Sequence, residues 1–363
     1  MDFDLSEEQQ LLQETIAQFI ENECPMARLR ELFDDESGYD PVLWKGLAEL
    51  GVAGIHLPGE YGGSELEVLD LAVVAETLGS AAAPVPFLGH VLATEAIRVG
   101  GNAEQQARML PSLASGEHLA TIAFAEEGGA WFPEQWSLAA PDGETGTISG
   151  AKEIVEFGEH ADYFVVGLKG GKIGVIDRNA AGVEIQRVEG ADRTRRIARV
   201  NFENTPVEVL ATSGPDAARR VCDVGAILIA ADAFGGARKL VDMSVEYAKS
   251  REQFGVTIGH FQALKHQLAN MAIEIEPSRA LYWYAAHAID HVPDEGTRMA
   301  SVAKSHLCGR YTQIARDATE AHGGIGYTWE GDTQIWFKRA MFNRVFLGTP
   351  RVHQDRVASL SGW

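Results

Sequence analysis

Glu320-Ala321-His322-Gly323-Gly324-Ile325-Gly326-Tyr327-Thr328-Trp329-Glu330, taken with Arg251-Glu252-Gln253-Phe254-Gly255, decides how this chain is read. Each stretch ends or interrupts a long amphipathic helical segment with a glycine-bearing turn. Glycine lets a backbone approach a ligand closely and present bare N–H groups to it, phosphates above all. An arginine beside such a turn supplies a fixed fork for a pyrophosphate. The plainer alternative for Arg251 is a cation complementing a helix C-terminus, with Gly255 as the cap.

On the N-terminal side, the pattern from Leu5 to about Gly116 is helical. Ser6 to Gln9 is a capping signal, followed at helical spacing by Leu11, Leu12, Ile16, Phe19 and Ile20. Turns interrupt at 34–40, 57–63 and 83–86. Near Leu119 short β-rich runs take over, to about Leu210: Thr121–Phe124, Tyr163–Val166, Lys172–Ile176 and Val183–Ile185. From Ser213 the helical period returns, with long segments at 214–251, 260–291 and 295–321, as in a four-helix bundle. The expected fold class is α+β, with an N-terminal α-helical domain over 1–117, a central β domain over 118–211 and a C-terminal helical bundle domain over 212–363.

A chain of 363 residues can build two or three packed units. Its 45% hydrophobic and 23% charged residues are ordinary for a globular protein. A net charge of −21 opposes nucleic acid and anionic membranes as partners, and serves solubility. Cys24, Cys222 and Cys308 are scattered, with no ligand spacing, so neither a disulfide framework nor a metal site is expected. The acidic start, Met1 to Glu8, enters a helix at once, unlike a signal peptide, and no apolar run reaches transmembrane length. A cytoplasmic location is expected.

The helix–strand–helix order and four local motifs resemble the acyl-CoA dehydrogenase family over the whole chain. The motifs are Leu50-Gly51-Val52 leading to Pro58-Gly59-Glu60-Tyr61-Gly62-Gly63, Ser149-Gly150-Ala151-Lys152 through Asp162, and the two stretches quoted first. The resemblance implies FAD as cofactor, an acyl-CoA substrate, an electron-transferring flavoprotein or similar acceptor, and a homo- or heterotetramer whose subunits share each cofactor site. It implies that Arg251 and Gln253 meet the pyrophosphate and that Phe254 packs beside the cofactor. Gln262 follows in a family-like Phe261-Gln262-Ala263. Gly323 and Gly324, beside Glu320, would approach the adenosine portion of a neighbour's FAD, and Thr349 would reach the flavin side. Phe124 and Ala125 fall at cofactor-contacting positions of the β domain.

The chain departs from that pattern where chemistry is done. The family's threonine-glutamate-proline run, continuing to a serine-aspartate pair, reads here Ala125-Glu126-Glu127-Gly128-Gly129-Ala130-Trp131-Phe132. Ile154 stands where many members carry a flavin-flanking tryptophan, and Glu320 where glutamine is commoner. The usual catalytic glutamate corresponds to Leu347, and the alternative position, on the first helix of the bundle, to about Gly225. An arginine that contacts CoA in some relatives falls at about Ala226.

One acid remains near. Asp232 is the only charged residue between Val224 and Ala237, two helical turns from Gly225 and on the same face. A lone carboxylate on so apolar a surface is costly unless partnered or functional. Asp232 is therefore the candidate catalytic base, and its alternative is a carboxylate paired to an arginine that shapes the bundle. Glu246 and Glu252 read as solvated, while His266 and His322 are weaker candidates.

Three functions compete. The first is FAD-dependent α,β-desaturation of an acyl-CoA, of a bulky or steroid-like chain, by one subunit type of an α2β2 heterotetramer. The second is a non-catalytic subunit completing the FAD site of a catalytic partner. The third is another flavin reaction with an aspartate base, such as nitroalkane oxidation.

Overall fold

The computed structural model describes residues 4–363; Met1, Asp2 and Phe3, which open the acidic lead-in, lie outside the described residues. Helices come first: α1 Glu7–Glu23, α2 Met26–Asp34, α3 Pro41–Glu49, α4 Val68–Ser80, α5 Phe87–Gly100 and α6 Ala103–Ala114. The capping signal forms a capping box, in which Gln9 N–H donates to Ser6 Oγ at 3.2 Å and Ser6 N–H to Gln9 Oε1 at 3.0 Å. Ile16 and Ile20 of α1 are buried, whereas Leu11 projects into solvent.

The strands are β1 Ala120–Ala123, β2 Thr145–Glu156, β3 Tyr163–Leu168, β4 Lys172–Asp177, β5 Val183–Val188 and β6 Ile197–Val209. They form one sheet in the order β1-β3-β4-β6-β2, with β5 also paired to β6. Only the β1–β3 pairing is parallel, in register Ala120↔Tyr163. Along β3, Val165 joins the large helical core while Phe164 and Val166 join a second core on the other side, the two-residue period of a strand covered on both faces. The four expected β-runs lie in β1, β3, β4 and β5. Of the two longest strands, β2 mixes glycine with exposed polar residues and carries little of that signal, whereas β6 alternates buried Ala198, Val200 and Phe202 with Arg199, Asn201 and Glu203, a strand period that was missed. Register slips twice in β2, between Ile148 and Gly150 and between Lys152 and Val155.

The helices that follow are α7 Pro215–Ser250, α8 Gln262–Ile275, α9 Arg279–His291, α10 Pro293–Ala321, α11 Thr333–Val345 and α12 Pro350–Leu360, with a small hairpin, β7 Glu252–Gln253 and β8 Val256–Thr257, between α7 and α8. The segment expected to be one helix over 260–291 is two, because Pro277 lies in a short 3-10 turn at Glu276–Ser278. Helix α7 is the axis of the molecule: α10, α8 and α9 complete a bundle around it, and α4 and α5 of the first helical layer pack on its other side. Its middle, Val221 to Ala237, is buried all round, which explains a run of apolar residues without amphipathic gaps. No helix among the described residues is long and apolar enough to cross a membrane.

Candidate functional site

Helix α7 ends at Ser250, and Arg251 takes its C-cap position in extended backbone, donating its N–H to Tyr247 O at 2.8 Å. The hairpin then turns at Phe254 and Gly255, both in the left-handed region with φ of 54° and 80°. Opposite, α10 stops at Ala321. The His322 ring lies on Tyr247 at a centroid distance of 4.5 Å and donates from Nδ1 to Ala318 O at 2.8 Å. Gly323 follows at φ 61°, and a Cβ added at Gly323 or Gly324 would meet nothing within 4 Å, so both backbones stand open. Between these two chain reversals is a cleft of about 550 Å³, lined by Tyr247, Arg251, Gln253, Ile258, Glu320 to Ile325, Thr328 and Glu330.

The structure thus brings Arg251, Gln253, Glu320, Gly323 and Gly324 together. Phe254 sits at the hairpin tip with its ring 93% exposed, and Gln262 opens α8 on the surface. Thr349 is half-buried, its hydroxyl engaged as the N-cap of α12 by Val352 N–H at 3.4 Å. Tyr247 was missed by sequence reasoning, although it lies one turn before Arg251 on the same face of α7. An exposed guanidinium and bare glycine backbones suit the pyrophosphate and adenosine half of a dinucleotide such as FAD. Glu320 and Glu330 are exposed, where water screens their charge.

No lining residue of the cleft comes from the β domain. Phe124 and Ala125 are buried at the end of β1, where Phe124 packs on Trp136 at 4.7 Å and Ala125 O accepts from Glu153 N–H at 2.8 Å. Ala125 presents a methyl and no hydroxyl. Ile154 occupies the second slip of β2, at φ 51°. Next to it lies a buried pair, Lys152 Nζ to Glu126 Oε1 at 2.7 Å, with the amine also over the Trp136 ring; burial pulls the Lys152 amine down to about 8 against the pull of Glu126. These residues offer a flavin ring neither a hydroxyl nor an aromatic flank, so the ring half of FAD does not fit this chain as the ADP half does.

The two vacant base positions prove to be a single packing unit. Leu347 is fully buried, and its Cδ1 lies 2.3 Å from where a Cβ on Gly225 would stand, with Leu92 Cδ1 at 3.0 Å. A side chain at 225 would require the leucine tip to move aside. Around them Trp131 packs on Phe346 at 4.7 Å and Phe132 on His353 at 5.8 Å. Arg219 bonds Glu134 at 2.7 Å and Arg356 bonds Asp223 at 2.5 Å, tying the loop after β1 and the last helix to α7. The enclosed space farther along α7, beside Leu228 and Asp232, measures about 10 Å³, room for one water and not for an acyl chain.

Asp232 is buried and saturated. Its carboxylate accepts from Arg339 Nη2 at 2.6 Å, Arg195 Nη2 at 2.7 Å and Asn343 Nδ2 at 2.6 Å. Burial would raise its pKa, and the two guanidiniums more than reverse that, holding the carboxyl below its usual range. A carboxylate held so low and so fully bonded is a poor proton acceptor. This is the paired, bundle-shaping alternative, and it corrects the expectation of a base. Arg195 comes from the loop between β5 and β6, and Arg339 and Asn343 are one turn apart on α11. The missed signal was Arg339 itself, which stands beside Lys338 in the otherwise apolar stretch Ile335 to Phe342.

Glu156, at the end of β2, completes the cluster. Gly89 N–H donates to Oε2 at 3.0 Å, while Oε1 has no hydrogen-bond partner among the described residues and lies 3.4 Å from Arg195 Nε. Burial pushes its carboxyl up to about 7, an effect Arg195 only partly offsets. A raised carboxyl pKa contributes stability that is present below the ordinary value, about 4.5, and is lost as pH rises through about 7. Glu156→Gln should flatten this loss, so that its melting temperature relative to the unmodified protein improves between about pH 5 and 7. Parallel pH dependence of the two proteins would show that Glu156 does not titrate there.

Residues 6–117 match the family description "Acyl-CoA dehydrogenase, N-terminal domain", and residues 212–360 match "Acyl-CoA dehydrogenase, C-terminal domain". The chain is 34% identical to the acyl-CoA dehydrogenase IpdE2 of Mycolicibacterium smegmatis, over 97% of this chain and 98% of that one. Among solved structures it is similar to a variant of the steroid ACAD Tcur3481-Tcur3483, with TM-score 0.90, 30% identity and 98% of each chain covered. The ChsE4-ChsE5 complex from Mycobacterium tuberculosis is similar at TM-score 0.90 and 25% identity, covering 100% of this chain and 99% of that one.

Proposed function

Because this chain belongs to the acyl-CoA dehydrogenase family, FAD-dependent oxidoreductases acting on the CH–CH bond of acyl-CoA, we propose that it is the supporting subunit of an α2β2 heterotetramer. Its cleft at Arg251 and Gly323–Gly324 holds the ADP portion of an FAD whose ring lies in a related partner subunit. The partner also supplies the catalytic base and the acyl pocket. Hydride acceptance is the chemistry that FAD brings, and this chain's residues serve it by binding and orientation alone.

One observation carries this reading: the two positions from which the family's base acts hold Leu347 and Gly225, neither a proton acceptor, and the leucine tip fills the space over the glycine. The self-sufficient alternative needs Asp232 as base, and two arginines hold that carboxylate ionised and occupied. A steroid-like acyl chain is supported by the solved neighbour described as a steroid ACAD, and heteromeric assembly by the neighbour solved as a two-protein complex. Reoxidation by an electron-transferring flavoprotein or similar acceptor completes the proposed cycle.

The visible spectrum decides between the readings. Purified alone, the chain should show no flavin that bleaches when acyl-CoA esters are added anaerobically. Co-produced with a related subunit that carries the family's glutamate, it should be yellow and bleach with substrate. Bleaching by the chain alone would overturn the proposal. Within the assembly, Arg251→Ala should weaken FAD retention roughly tenfold to a hundredfold, the worth of charge-assisted hydrogen bonds to a phosphate. Equilibrium dialysis of FAD measures this, and unchanged retention would remove Arg251 from the site.

A further inference from the structure

We infer that Trp329 is a positioning residue for the glycine turn at Gly323–Gly324, acting through a clamp in which Lys338 and Arg193 grip its ring; this rests on the cleft being the ADP site. Thr328 and Glu330 line the cleft, and Trp329 between them instead meets α2 and α11. Lys338 Nζ lies 3.7 Å from the Trp329 ring centroid, Arg193 Cζ 5.2 Å, and the buried Phe33 ring of α2 5.7 Å. Two cations on one ring make a cation–π grip on a side chain that is still 48% exposed. Packing alone would have no use for a half-solvated tryptophan with cations upon it.

The backbone of the same residues is held from α2 as well. Arg30 donates to Glu330 O at 2.5 Å and Trp329 O at 3.4 Å, and its Nε bonds Asp332 at 2.7 Å. The grip is passed back to the turn through a tightly folded loop. Thr328 donates to Ile325 O from its N–H at 3.0 Å and from its hydroxyl at 2.9 Å. A Cβ on Gly331 would stand 2.4 Å from that same carbonyl, so the limb leaving the clamp presses on the limb leaving the turn. A Cβ at Gly323 or Gly324 would meet no atom within 4 Å, so no neighbouring side chain crowds their open face. Trp329 thus ties the far limb of the turn to α2, α11 and the β5–β6 loop, alongside the Arg30 contacts, while the near limb is held by the end of α10.

The test uses the full chain with Trp329→Ala and Trp329→Phe, read by amide hydrogen exchange over 322–331, by ADP binding and by melting temperature. Trp329→Ala should speed exchange across the turn and weaken ADP about tenfold, the loss of two cation contacts, with little change in melting temperature. Trp329→Phe, which keeps a ring, should restore most of both. Wild-type exchange and ADP affinity in Trp329→Ala would overturn the clamp, as would losses that appear only alongside a fall in melting temperature and are equal in both variants. Failure of the unmodified chain to bind ADP would instead count against the site, while the exchange measurement would still decide the clamp.

Discussion

Asp232→Asn should destabilise the protein by roughly 3–5 kcal/mol, the cost of leaving buried charges without their partner. Removing the charge strands Arg195 and Arg339, both buried, where three separate segments meet: the β5–β6 loop, α7 and α11. Arg339 also donates to Thr194 Oγ1 at 2.9 Å and to Ala83 O at 3.2 Å, so its displacement would loosen the N-terminal helices too. Since the Asp232 carboxyl is held below its ordinary value, its contribution is fully present above about 3.8 and lost only as pH falls through its lower folded value. The loss on mutation should thus appear undiminished at neutral pH in a denaturant titration. A catalytic base would behave in the opposite way: its amide would leave stability near wild type and abolish turnover. Near-native stability in Asp232→Asn would return Asp232 to the chemistry.

The same residue shows where sequence is legible and where it stops. That a lone acid within Val224–Ala237 must be partnered or functional follows from the cost of burying charge, and it was readable. Which of the two applies depended on Arg195 and Arg339, 37 and 107 residues away, and no local pattern specifies such a meeting. The helical layers were legible because 3.6-residue periodicity is local, and the break at Pro277 was available in principle. Strand β2 was not, since its pairing partner supplies the order that its own mixed composition does not announce, while β6 was available in principle through its alternating Ala198, Val200 and Phe202. The cleft is an intermediate case. Its glycine turn and Arg251 each had a visible physical signature, but that they face one another follows from the parallel course of α7 and α10, which brings both C-terminal ends to the same side. The emptiness at Gly225 and Leu347 was visible as two absent acids, and only packing reveals that the leucine fills the space over the glycine.

Leu347→Glu, which restores the acid that the family places at this position, should fail to create a dehydrogenase and should cost at least about 3 kcal/mol of stability. The leucine is fully buried against Gly225 and Leu92, and its backbone lies in the left-handed region at φ 54°. Its carbonyl is already held by His353 Nε2 at 2.8 Å, which fixes the direction the side chain takes. A glutamate there would enter an apolar, closed space, stay protonated because burial disfavours its charge, and find neither substrate nor ring before it. Anaerobic addition of acyl-CoA to the flavin-supplemented variant should leave the spectrum unchanged, and thermal denaturation should shift downward. Bleaching by this variant alone would mean that the acyl site is open and that one missing carboxylate is all that separates this chain from turnover. Absence of bleaching together with lost stability would place the defect in the packing around Leu347, Gly225 and Trp131 as a whole, which is what a subunit freed from catalysis and retained for cofactor binding would accumulate.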